Sequence, residues 1–220
     1  MFVRIVKLSF QEDKIADFLA NFEEIKHQIR NFEGNEFLVE CDVASDASID
    51  TAFEKIKEYA SEIHGVVHAV AYANKEDLQG AVTEISRDGY ALAQDISAYS
   101  LIAVTKAAKP ILAENSGIVT LTYLGADRAV PNYNMMGIAK AALESAVRYL
   151  AAELSPQKIR VNAISAGAIK TLAVTGVTDY QKLIHELKYR GNKEIGEILG
   201  KLAAVDLLEN PEYQHIDWIV

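Results

Sequence analysis

The sequence predicts an α/β fold in which a parallel sheet is covered by helices on both faces. Two observations carry this: short apolar runs of strand length alternate with amphipathic helical stretches, and the middle runs are almost wholly apolar, as strands buried on both faces must be. Phe2 to Phe10 alternates apolar with polar residues, which suits a strand. Gln11 to Asn31 places Ile15, Phe18, Leu19, Phe22, Ile25 and Ile29 at spacings of three and four, the mark of an amphipathic helix, with Gly34 just beyond its exit. Asn35 to Val43 reads as strand, and Ile49 to Ile63 as helix with Ala52, Phe53, Ile56, Tyr59 and Ala60 on one side. Gly65 to Ala73 (GVVHAVAYA) is a continuous strand-length apolar run. Helical patterns span Arg87 to Leu112, interrupted at Pro110. Gly117 to Tyr123 is strand, Asn134 to Leu154 an Ala-rich helix, Ile159 to Ile164 strand, and Thr178 to Lys201 helix. Neither a fixed repeat nor a low-complexity segment interrupts the order.

Composition narrows the functional classes. The chain has 220 residues, half of them apolar, enough to bury a sizeable core. Its formal net charge is -9 with no basic cluster, which argues against a phosphate-backbone surface for nucleic acid. Cys41 is the only cysteine, so neither a disulfide framework nor a Cys-based metal site is expected. His64 and His68 stand four apart but in a Val-rich run that reads as strand, where they would share a sheet face; a structural role is favoured over metal binding. The opening MFVRIVKLSF lacks the long uncharged core of a signal peptide, and no stretch has the length of a membrane span. A soluble, cytoplasmic protein is expected.

Tyr123, Tyr133 and Lys140 are the informative trio. Lys140 lies seven positions after Tyr133, two helical turns, so the two project from one face. A tyrosine hydroxyl is a poor acid near neutrality unless a cation sits close, and an ammonium supplies that field. The hydroxyl can also donate to an oxygen that gains negative charge during reaction. The pair suits reduction of a carbonyl or of a conjugated double bond. Taken alone, the same spacing also describes an exposed tyrosine and a solvated helix lysine.

The surrounding sequence decides between those readings. LTYLGADRAVPNYNMMGIAKAALESAVRYLA (Leu121 to Ala151), with CDVASDASID, DISAYSLIAVTKAAKP and IRVNAISAGAIKTLA, closely resembles bacterial NADH-dependent enoyl-acyl-carrier-protein reductases of the short-chain dehydrogenase/reductase superfamily. The resemblance runs from about residue 38 to 183 and implies a three-layer Rossmann-like fold. It implies that Tyr133 bonds the thioester oxygen as an enolate forms, and that Lys140 holds the nicotinamide ribose. Tyr123 resembles the family's second active-site tyrosine, packing against substrate. Cofactor contacts are implied at Asp42, Val43, Val70, Ile169, Thr171, Leu172 and Ala173, and a substrate contact at Ala73. Val70 and Leu172, taken singly, also read as core residues. The implied cofactor is NADH. The implied substrate is a trans-2-enoyl group on acyl carrier protein, whose acidity Lys170, Arg128 or Arg87 could complement. Relatives of this kind are commonly homotetramers.

The resemblance stops at both ends, so the Rossmann-like fold is expected to be incomplete there. The family opens with a glycine-rich turn whose amides cradle pyrophosphate, whereas the first 64 residues here contain one glycine, Gly34. Residues 1–37 instead resemble the start of ferredoxin-like proteins of the antibiotic biosynthesis monooxygenase type, and 184–220 form a helical segment of unknown origin. The N-terminal strand-helix-strand is expected to fill the gap in the sheet. Three functional readings stand open: a reductase of fatty acid biosynthesis, an inactive remnant or chimera unable to hold NADH, and a small ferredoxin-like dimeric protein.

Overall fold

A computed structural model describes residues 2–5 and 39–165. Four strands form one parallel sheet, in the spatial order β1 (Phe2–Ile5), β2 (Ile63–His68), β3 (Leu112–Thr122) and β4 (Arg160–Ser165). The ladders pair Phe2 with Gly65, Gly65 with Gly117, and Gly117 with Arg160. The N-terminal strand therefore extends the sheet at the free side of β2. The expected boundaries near residues 37 and 183, and the helices expected over 11–31 and 178–201, lie outside the described residues.

Each helix follows from its local sequence. Ser45 accepts the Ser48 amide and starts α1 (Asp46–Tyr59), with Asp46 in its first turn and Lys57 in its last, both favourable to the helix dipole. Its face of Ile49, Ala52, Phe53 and Ile56 is buried. After β2 comes the short turn α2 (Lys75–Leu78). Ser86 then accepts the Gly89 amide to start α3 (Arg87–Gln94). A π-turn over Asp95–Tyr99 leads into α4 (Ser100–Ala108), and α5 (Asn134–Leu154) joins β3 to β4. One core cluster unites α1, β2, α4, β3, α5 and β4 through Phe53, Ile63, Leu101, Val104, Ile118, Leu143, Leu154 and Val161.

Several expected boundaries move. Residues 39–42 of the expected 35–43 strand join no ladder; the Asp42 carboxylate instead accepts the Ala44 amide (3.0 Å) in the turn leading to α1. The expected helix to Ile63 stops at Tyr59, and Ile63 opens β2. β2 ends at His68 rather than Ala73, because the segment beyond is held by a side chain, Ser97, and not by a neighbouring strand. Leu112 belongs to β3, which begins five residues before Gly117 and ends at Thr122. His64 and His68 differ in burial: the β2–β3 register shifts between Ile63 and Gly65, where the extra residues lie on β3, and His64 is exposed while His68 is 0% exposed.

Candidate active site

In a parallel sheet all strands end on one edge, and the segments leaving those ends line a shared crevice. Here that edge gathers the exits of β2 (from Ala69) and β3 (from Tyr123), together with the start of α5. Tyr123 is the first residue past β3, and Tyr133 is the residue that caps α5. Their rings meet edge to face, centroids 4.9 Å apart at 67°, a favoured aromatic arrangement.

Two glycines make that meeting possible. A Cβ on Gly125, in the turn after Tyr123, would run into the Tyr133 ring; a Cβ on Gly137, one turn into α5, would lie 2.8 Å from the Gly125 carbonyl oxygen. Turn, ring and helix are thus packed without room for a methyl group. The Tyr133 carbonyl accepts the Gly137 amide (2.7 Å). No described residue hydrogen-bonds the Tyr133 hydroxyl. Burial, with Tyr123 beside it, pushes its pKa well above the ordinary tyrosine range, so it is a proton holder and hydrogen-bond donor at neutral pH.

Lys140 lies two turns along α5 and is 6% exposed. Its Nζ donates to the Leu121 carbonyl at 2.7 Å, tying helix to strand one residue before Thr122. Desolvation pulls its pKa down to about 8, so it remains mostly cationic at pH 7. An ammonium has three donors, and two of its N–H groups have no partner among the described residues. A pair of adjacent hydroxyls, such as those of a ribose, fits that free donor set.

The remaining sequence-predicted residues separate by position. Ala73 and Tyr133 both pack against one small buried cluster of Ala93, Met135, Met136 and Ala139. Val43 and Val70 are buried in the main core, so only their backbone could reach a ligand. Asp42 is exposed in the turn leading to α1, and Arg87 and Arg128 are exposed, Arg128 beside Asp127 at 3.3 Å. Lys170, Ile169, Thr171, Leu172 and Ala173 fall outside the described residues. Among those described, no group of three His, Cys, Asp or Glu side chains is placed to hold a metal ion, and no helix is long and apolar enough to cross a membrane.

Three arrangements escape a reading of local sequence. The buried Ser97 hydroxyl, on the π-turn, both accepts the Tyr72 amide (2.8 Å) and donates to the Tyr72 carbonyl (2.9 Å), fixing the exit of β2. The His68 ring nitrogens lie 2.9 Å from Thr120 Oγ1 and 2.8 Å from Ser100 Oγ. Burial, reinforced by the Lys140 charge, lowers its pKa to about 4 and keeps it neutral. Finally, Thr122 donates to Glu144 on α5 at 2.7 Å. The only local signal for any of these is a hydroxyl set in an apolar run, as in DISAYS.

Comparison with known proteins bears on the same residues. A family model described as enoyl-(acyl carrier protein) reductase matches residues 13–197. A relative in Enterococcus faecalis, named enoyl-acyl-carrier-protein reductase (NADH), is 67% identical over 159 residues, covering 72% of this chain and 64% of its own length. The Bacillus subtilis relative of the same name is 50% identical over 153 residues, 70% of this chain and 59% of its own. The chain spans less than two thirds of the length of these two relatives. A Staphylococcus aureus relative, 45% identical, is named for NADPH. Among solved structures, a Bacillus cereus enoyl-acyl carrier protein reductase with NADP+ and indole naphthyridinone superposes at TM-score 0.78 with 39% identity, covering 94% of this chain and 90% of that one.

Proposed function

Because the chain belongs to the enoyl-(acyl carrier protein) reductase family, we propose that it reduces the trans-2 double bond of an enoyl thioester carried on acyl carrier protein, as in fatty acid biosynthesis. The observation that carries this reading is the juxtaposition of Tyr133, its hydroxyl unbonded by any described residue, with Tyr123 and the buried cation Lys140.

The roles follow from the chemistry of each group. The Tyr133 hydroxyl donates a hydrogen bond to the thioester oxygen, which gains negative charge as the double bond accepts a hydride. Its raised pKa suits this, since the proton stays on tyrosine until a strong base forms beside it. Lys140 supplies a fixed positive field and two free donors for the ribose hydroxyls of a nicotinamide dinucleotide. Such a cofactor, when bound, supplies the hydride, and NADH is the form we propose, as in the name of the Enterococcus faecalis relative. Tyr123 packs across the Tyr133 ring and limits where an acyl chain can lie. Asp42, Val43, Val70, Ile169, Thr171, Leu172 and Ala173 are proposed cofactor contacts, and Ala73, which packs against the same buried cluster as Tyr133, a substrate contact.

The test is steady-state loss of nicotinamide absorbance with a short trans-2-enoyl-CoA. Wild type turns over; Tyr133→Phe, which removes one donor to the developing oxyanion, lowers turnover roughly a hundredfold, and Lys140→Ala weakens both turnover and cofactor binding. If wild type shows no turnover and millimolar NADH gives no thermal shift, the reading is wrong and an inactive relative remains.

A further inference from the structure

β3 delivers Tyr123 to the site, and α5 delivers Tyr133 and Lys140, so the reaction centre depends on how the end of one is held to the start of the other. Two hydrogen bonds join them there. The first runs from Lys140 Nζ to the Leu121 carbonyl (2.7 Å). The second runs from the buried Thr122 hydroxyl to a Glu144 carboxylate oxygen (2.7 Å). Residues 140 and 144 stand one turn apart on the same helix face, and residues 121 and 122 are adjacent on the strand. Consecutive points of the strand are therefore tied to consecutive turns of the helix, which opposes sliding as well as tilting.

Glu144 is half-buried, and no ion pair engages it among the described residues. A hydroxyl donating to a carboxylate is a charge-assisted bond, roughly twice as strong as a neutral one. Its register matters because Tyr123 comes next in the chain and its ring rests on Tyr133. We propose that Thr122 and Glu144 are a positioning pair that sets the Tyr123–Tyr133 geometry and the Leu121 carbonyl beneath Lys140. The inference rests on the reading of Tyr133 and Lys140 as the reaction centre, and it assigns neither Thr122 nor Glu144 a contact with substrate.

Five variants of the full chain test the pair: Thr122→Ser, Thr122→Val, Glu144→Gln, Glu144→Ala and the double Thr122→Val/Glu144→Ala. Thr122→Ser and Glu144→Gln keep a donor and an acceptor, so turnover stays within about twofold. Thr122→Val and Glu144→Ala lower kcat roughly tenfold with KM little changed, since a small misplacement of reacting groups is costly. The double variant is no worse than the weaker single one, because both remove the same bond. A second readout needs no cofactor: with ring-labelled tyrosine, NMR contacts between Tyr123 and Tyr133 persist in Glu144→Gln and weaken in Thr122→Val and Glu144→Ala. Wild-type kcat in both disruptive variants, additive losses in the double, or unchanged ring contacts would overturn the proposal. Should wild type itself fail to turn over, the reductase reading falls, and the NMR contacts still decide whether the pair holds the rings.

Discussion

Lys140 and His68 are both buried groups whose charge the fold disfavours, and both leave a thermodynamic trace. The unfolded chain keeps a lysine proton to about 10.5, whereas folded Lys140 releases its own near 8. Between those values the unfolded state binds more protons, so stability should rise with pH across that window. The shift corresponds to at most about 3 kcal/mol. Chemical denaturation of wild type and Lys140→Met between pH 7 and 10.5 checks this: the rise belongs to wild type and is missing from the variant. At the acid end the unfolded chain takes a histidine proton near 6.5 and folded His68 only near 4. Again the unfolded state binds more protons in the window, so stability is lost as pH falls from about 6.5 to about 4, by up to about 3 kcal/mol. Replacing His68 with asparagine should flatten that slope, at the expense of leaving Ser100 and Thr120 with poorer partners. A cationic lysine kept in a place that disfavours its charge is better explained by a task than by stability, which is how it is used in the proposed reaction.

At the level of elements, the contact between the turn after β3 and the start of α5 sets the site. Alanine normally favours a helix over glycine by about 1 kcal/mol, so Gly137→Ala would stabilise an unconstrained helix. Here the added methyl meets the Gly125 backbone oxygen at 2.8 Å, and backbone cannot swing aside as a long side chain can. Overpacking of this kind costs roughly 1–3 kcal/mol and outweighs the propensity gain. Gly137→Ala is therefore expected to lower the melting temperature and to cut turnover, measured by thermal unfolding and the absorbance assay. The same elements show what local sequence can specify. α5 spans Asn134–Leu154, as its periodicity predicts, and with it the relation of Tyr133 to Lys140. β3 is longer than its apolar run because Glu114, Asn115 and Ser116 carry no strand pattern. β2 is shorter than its run because the apolar residues past His68 pair with no neighbouring strand, and of them only Val70 is buried. The bonds joining Ser97 to Tyr72, His68 to Thr120 and Thr122 to Glu144 link residues 25, 52 and 22 positions apart, beyond any helical or strand period.

For the molecule as a whole, the parallel sheet explains why residues distant in sequence converge. Strands that run the same way release their chains on one edge, so the exits of β2 and β3 and the start of α5 lie on the same edge of the sheet. The N-terminal strand lies beside β2, covering an edge that would otherwise present unpaired backbone groups. Membership of the family was legible in the sequence through long continuous segments rather than one motif, and the family match reaches residues 13–197. What remained open was whether the tyrosines and lysine meet in a chain whose first 64 residues hold a single glycine, Gly34. The two tyrosine rings meet, and Lys140, two turns along α5 from Tyr133, bonds the Leu121 carbonyl two residues before Tyr123; the proposal is that these groups form a reductase centre. The most direct measurement supplies NADH carrying deuterium at both C4 positions with a four-carbon trans-2-enoyl-CoA, and reads the product by mass spectrometry and NMR. A reductase centre at Tyr133 leaves one deuterium on the β-carbon of the saturated thioester, formed roughly a hundredfold more slowly by Tyr133→Phe. Recovery of unlabelled, unreduced substrate from wild type, or equal rates in the two proteins, would contradict it.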